Sequence, residues 1–353
     1  MASDNMISAM RRRVPWHVGQ KILAENGLPR SMGWDRTVKS IAENALSAEQ
    51  EALATNAMKE HILCGEKLVQ FFSLSRDDVA SLRAAALALP IPESEFQKAY
   101  PSLLAEADLR KAPNIPTLVA RENGEDGVGL IFASVRVVTV REELNVGDLG
   151  DEAADALSDF DEVVGVRNIR LQALDVVWIP HEGASVDTRT DYPKGMHSDV
   201  AYVAADRLRE AFNAAVGYEA LVMPENLFPL INSMYRDKDE GHVVELGFGT
   251  TTKSLKDEKM RGRNSDLRKE PYHIGGKGNL QTEIEPFRIS VAWDRSIGPK
   301  RTSTPELSIH GNSRIGLSDN PIITAAIVRR CMGLADFEHV RSRVNKHLAA
   351  IAE

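Results

Sequence analysis

The apolar residues of this chain change their spacing once, and that change limits the fold more than any other feature. Over residues 16–109 they recur every three to four positions, as in amphipathic helices. Beyond Pro113 and Pro116 they come in β-branched runs of strand type. Runs of helix followed by runs of strand predict an α+β protein: an N-terminal all-α helical bundle over residues 1–112, then a larger α+β domain over 117–353 with a mostly antiparallel sheet. Within the first part, Asn26-Gly27 ends a helix. Ser47-Ala48-Glu49-Gln50 is a capping box opening a helix expected to reach Phe72, and Ser75 to Asp78 opens another. Residues 93–109 are expected to be a last helix. In the second part, strands are expected at 128–140, at 163–179 as two pieces broken near Gln172, and at 218–223, 242–252 and 287–293. Helices are expected at 206–215 and 224–235, and two more close the chain, the first starting at Asn320-Pro321.

With 353 residues, 43% hydrophobic and 27% charged, the chain has material for two domains and is neither disordered nor a fibrous polymer. No stretch approaches the roughly 18 apolar residues of a membrane span, and the N-terminus lacks the apolar core of a secretory leader. Cys64 and Cys331 are the two thiols, too few for a disulfide framework or a cysteine-based zinc site. These features point to the cytoplasm, with no membrane as partner.

The net charge of −8 conceals a segregation. Residues 142–162, an acidic excursion, hold nine acidic and no basic residues, whereas residues 253–277 hold eight basic against four acidic. The basic residues are Lys253, Lys256, Lys259, Arg261, Arg263, Arg268, Lys269 and Lys277. In a loop rich in Gly, Asn and Ser they suit a polyanion backbone, because mobile cations neutralise phosphates without reading bases. Arg11, Arg12, Arg13, Arg295, Lys300 and Arg301 are candidates to extend the patch. If the two charged regions fold together, the acidic one masks the basic one. A non-enzymatic binding protein follows as the leading expectation, its basic loop taking nucleic acid or another polyanion and its helical module taking a protein partner, without a cofactor; a homo-oligomer is left open.

Catalytic motifs are thin. Residues 245–254 have a phosphate-loop look, but Thr252 stands where glycine must precede the Lys-Ser pair, and no G-x-S-x-G occurs. Neither thiol reads as a nucleophile: burial on a helix face raises a thiol's pKa, although the arginines before Cys331 are of the kind that lowers it. His197-Ser198-Asp199 is an H-x-D pair, with His273 a candidate distal ligand and Arg288 and Ser290 candidates to hold a co-substrate carboxylate. This set of five positions resembles the motif of the 2-oxoglutarate-dependent oxygenases. The resemblance implies Fe(II), or another divalent metal, on His197, Asp199 and His273. A metal-dependent nuclease with Asp239 or Glu245, Asp257 and Lys259 is the other form of this alternative, although residues 257–259 show no strand-like alternation.

Overall fold

The capping box at Ser47 closes as expected: its side chain accepts from the Gln50 N–H, and the Gln50 side chain accepts from the Ser47 N–H. The helix that follows does not reach Phe72. In a computed structural model of the chain, which describes residues 6–145, 150–157, 159–160, 162–250, 254–298, 301–316 and 318–352, it ends at Cys64. Gly65 breaks the helical hydrogen bonding, and residues 67–73 form a strand buried on both faces. Val69, Phe71 and Phe72 favour that state, and a continuous apolar run without alternation is what a central strand requires.

The first 112 residues are therefore not helical throughout. They comprise α1 (Met6–Arg13), α2 (Trp16–Glu25), α3 (Trp34–Glu43), α4 (Ala48–Cys64), β1 (Lys67–Ser73), α5 (Arg76–Ala88), α6 (Glu95–Ala99) and α7 (Glu106–Leu109). Two short helices replace the single one expected at 93–109. After them come β2 (Thr117–Asn123), β3 (Gly127–Leu144), α8 (Asp151–Ala156), β4 (Val163–Pro180), β5 (Ser185–Asp191), α9 (Ser198–Val216) and α10 (Phe228–Arg236). The chain continues with β6 (His242–Gly249), β7 (Leu255–Lys259), α11 (Pro271–Gly278), β8 (Glu285–Ala292), β9 (Arg295–Gly298), β10 (Arg301–Ser303), β11 (Glu306–His310), α12 (Ser313–Gly316), β12 (Ala326–Arg329) and α13 (Leu334–Ala352).

Ten of the strands form one sheet in the order β2-β3-β4-β5-β1-β12-β11-β8-β6-β7, antiparallel at every described pairing. β4 is a single 18-residue strand, not two pieces, because all of it pairs with β3. No strand forms at 218–223, and the helix expected at Pro321 is replaced by an irregular segment leading into β12. Among the described residues no helix is long and apolar enough to cross a membrane.

Helices cover the sheet unevenly. On one face α1, α2 and α4 pack Ile7, Met10, Ile22, Met58 and Ile62 with Ile131, Leu174 and Trp178. Beside them α10 and α13 pack Leu230, Met234, Phe337 and Val340 with Phe71, Ile289 and Val328. On the other face α5 and α9 cover the β1–β5 half, through Leu82, Leu208 and Phe212 against Phe132 and Val177, and α9 extends to β12 through Ala201 and Ala205 beside Ile327. The acidic excursion joins the ends of β3 and β4, whereas the basic segment includes β7 at the far edge of the strand order. Part of the excursion, residues 146–149, 158 and 161, lies outside the described residues, as does Lys253.

Candidate functional site

Antiparallel pairing brings alternate strand starts and strand ends to one rim of the sheet. The register Asp191↔Lys67, Arg329↔Glu306↔Ala292↔His242 places the end of β5, the start of β1, the end of β12, the start of β11, the end of β8 and the start of β6 there. β7 reaches the same rim with Lys259, opposite Glu245. β4 pairs with β5 only over Val176 to Trp178, so residues 163–172 overshoot the rim together with β3.

Between this overhang, α1 and the segment after β5 lies a cleft of about 1230 Å³. Its lining includes Arg12 and Arg13 from α1, His61 from α4, Arg167, Arg170 and Gln172 from β4, and Lys194, against the acidic Glu66, Glu106 and Asp191. Asp191 organises the floor. Its Oδ1 accepts from Lys67 Nζ at 2.6 Å and Arg13 Nη2 at 2.6 Å, and its Oδ2 from Arg13 Nη1 at 2.5 Å and the Leu174 N–H at 2.7 Å. Burial opposes ionisation of Asp191, but Arg13 and Lys67 outweigh it and hold the carboxyl below its ordinary range. Lys67, 0% exposed, also donates to the Leu174 carbonyl at 2.9 Å, and burial lowers it to about 8 against the pull of Asp191. Behind it Asp175 accepts from Arg136 and from the Asp191 N–H; burial raises Asp175.

Three groups around this floor have buried polar atoms without a hydrogen-bond partner: Arg13 Nε, both ring nitrogens of His61, and Gln172 Nε2. Burial, with Arg13 and Lys67 nearby, pushes His61 down to about 3, so its ring is neutral.

A second cleft of about 700 Å³ lies further along the rim, lined by Lys259, Arg261, Arg263, Asp294 and Arg330 among others. Glu66 joins the two, since it lines the first and accepts from the backbone N–H of Arg330 at 3.2 Å. The Arg329 guanidinium lies 3.6 Å from Glu66 and over the Tyr192 ring. His17 reports the local potential: burial, then Arg330, Lys21 and Lys194, lowers its pKa.

Of the basic residues expected to act, Lys259, Arg261 and Arg263 meet in the second cleft. Lys259 faces Glu245 at 3.0 Å, Arg263 faces Glu306 at 2.7 Å, and Arg261 is exposed. Lys256 and Lys269 are exposed elsewhere on β7 and a short 3₁₀ turn. Arg268 has a structural post, donating to Asp266 and to the carbonyls of Asp237, Glu240 and Gly241. Lys277 donates to Tyr235 Oη at 3.1 Å. The segment is thus a strand, a turn and α11, not one loop. Arg12 and Arg13 do join the rim, whereas Arg11 pairs with Asp35 and Arg295 with Asp336. Lys300 lies outside the described residues.

The oxygenase set does not assemble. His197 and Asp199 lie together, exposed, at the start of α9, but the ligand atoms of His197, Asp199 and His273 do not converge within 4.8 Å. His273 is buried with both ring nitrogens engaged, by Tyr235 Oη at 2.8 Å and Glu258 at 2.6 Å. Arg288 and Ser290 on β8 are engaged by Asp257 and Ser308. For the nuclease set, residues 255–259 do form a strand beside β6, because pairing and not apolar alternation sustains an edge strand; Lys259 and Arg288 neutralise Glu245 and Asp257. Among the described residues one group, Asp237, Glu240 and His347, clusters as metal ligands do. Arg343, Trp293 and His347 already bond Glu240, and Lys346 bonds Asp237, so it ties α13 to the turn before β6. Cys64 and Cys331 are buried, and burial raises both thiols.

Lys67, Asp191 and Lys194 escaped the sequence reading, and Gln172 figured in it only as an expected strand break. The available signal was a single charge inside an apolar strand run, as at Lys67 in Lys-Leu-Val-Gln-Phe-Phe; β5, in which Asp187, Arg189 and Asp191 alternate with threonines, carried no such signal. No family model, curated protein or solved structure matches the chain.

Proposed function

We propose that the chain is a non-enzymatic cytoplasmic binding protein whose ligand is a polyanion, nucleic acid being the expected class, and that the two clefts along the sheet rim form one groove for it. The observation that carries this reading is that two clefts lined by cations, one by Arg12, Arg170 and Lys194 and the other by Arg261 and Arg330, are neighbours across Glu66 in a chain of net charge −8. Such a local reversal focuses a positive potential, and the exposed cations in it are free to exchange counterions for phosphates. The basic segment takes part through Lys259, Arg261 and Arg263. The N-terminal helices α1, α2 and α4 bury their apolar faces on the sheet, so the protein partner expected of this part of the chain would meet their outer, polar faces.

The test is a mobility-shift titration with single-stranded oligothymidylate on the intact chain and on the Arg170→Glu, Lys194→Glu, Arg261→Glu triple variant. Arg170, Lys194 and Arg261 are exposed, so the fold is retained. The expected result is binding that weakens steeply with salt, with a log–log slope reduced by about 0.7 for each phosphate contact removed. Equal binding by both proteins overturns the reading.

A further inference from the structure

The floor of the larger cleft holds donors that the protein itself leaves unanswered. Arg13 is locked by its two-pronged pair with Asp191, which fixes the direction of its Nε–H; its side chain is 8% exposed. The Gln172 amide is oriented because its Oε1 accepts from the Leu104 N–H at 2.8 Å, so the opposite end, Nε2, is the one without a partner, on a residue 5% exposed. Arg12 bonds the carbonyl of the same Leu104 at 2.8 Å, which sets its guanidinium beside that amide. His61, 2% exposed, has no partner for either nitrogen. Asp191 cannot serve these donors, because each of its oxygens already accepts two hydrogen bonds. Buried N–H groups are almost always paired, so these donors, gathered at one floor, call for an acceptor from outside the chain.

We propose that Arg13, His61 and Gln172 form a receptor for a terminal phosphate monoester, with Arg12, Arg170 and Lys194 supplying the opposing charge. A phosphate monoester has three terminal oxygens to accept from three donors. Its monoanion has an O–H for the lone pair of the neutral imidazole, whereas a carboxylate brings two oxygens and no such proton. In a nucleic acid such a group exists only at a chain end, so the floor reads ends and the groove reads the backbone. The macromolecular form of the inference rests on the groove reading; the pocket chemistry does not.

The experiment compares dT12 with and without a 5′-phosphate, by fluorescence anisotropy, on the intact chain and on Gln172→Glu. That variant keeps an acceptor for the Leu104 N–H and replaces the donor by a repelling oxygen. The intact chain is expected to prefer the phosphorylated strand about tenfold, and Gln172→Glu to bind the 5′-phosphorylated and 5′-hydroxyl strands with equal affinity. Equal affinity for the two strands in the intact chain, or a preference kept in the variant, overturns the proposal. Glycerol phosphate provides a second arm. Should neither oligonucleotide bind, the groove reading fails, and a calorimetric titration with glycerol phosphate decides the pocket: saturable binding lost in Gln172→Glu supports it, and no binding overturns it. His61→Gln, a neutral replacement, checks that loss of binding follows the donor set and not the fold; it retains partial phosphate preference and a normal melting temperature.

Discussion

Asp191 carries more of the architecture than any other single side chain at the rim, because two cations and a backbone amide converge on its carboxylate. Removing it leaves Lys67 buried beside one carbonyl. Asp191→Ala is expected to lower stability by about 3–5 kcal/mol, the usual cost of breaking a buried pair on one side; urea denaturation checks it, and a loss below about 1 kcal/mol contradicts the assignment. Lys67→Met with Asp191→Leu costs less than the single change, since no lone charge remains. His61 predicts a pH dependence. Its pKa falls from 6.5 to about 3 on folding, first through burial and then through Arg13 and Lys67. Between those values the unfolded chain binds the extra proton, so this residue makes stability fall as pH drops below 6.5, by at most about 1.4 kcal/mol per unit, levelling off near 3. Its contribution is fully present above 6.5. Subtracting the stability curve of His61→Phe from that of the intact chain isolates this slope; a flat difference between pH 3 and 6.5 contradicts it.

At the scale of elements, β3 and β4 define the larger cleft by running past the rim, and the opposite end of the pair, where β3 starts and β4 finishes, is tightly fixed. A Cβ on Gly127 would stand 2.7 Å from the Ile179 carbonyl and 2.9 Å from the Pro180 Cα, both backbone atoms that cannot give way. Gly127→Ala is expected to cost about 1–3 kcal/mol as an overpacking change, measured as a lowered midpoint in thermal unfolding; an unchanged midpoint contradicts the register. The strand runs themselves were legible, because β-branched residues mark β3, β4, β6 and β8 directly. Caps were legible too, at Ser47 and Ser75. The boundary at Gly65 was not. Leu68 and Phe71 continue the helical spacing of Cys64, and only the packing of β1 between β5 and β12 decides against helix. β12 was hidden for the related reason that a four-residue buried strand is too short to show a period.

Across the whole molecule, the candidate site depends on order that no local pattern carries. Lys67 and Asp191 are far apart in sequence and meet because β1 lies between β5 and β12. Arg12 and Arg13 reach the rim only because α1 packs over the β3–β4 half. The segregation of charge was visible, and half of its consequence was too, since Lys259, Arg261 and Arg263 do line a cleft. The other half was not, because the cations that complete the groove come one or two at a time from α1, β4 and the segment after β5.

A groove made of two joined clefts makes a demand that separate patches do not. The direct measurement is the affinity of oligothymidylates of increasing length, by fluorescence anisotropy at fixed salt, for the intact chain, Lys194→Glu and Arg261→Glu. The groove predicts that affinity rises with length and then levels off, that Lys194→Glu or Arg261→Glu affects the shortest strands least, and that the longest strands lose affinity with either change. No binding at any length, or strands of every length insensitive to both charge reversals, contradicts it.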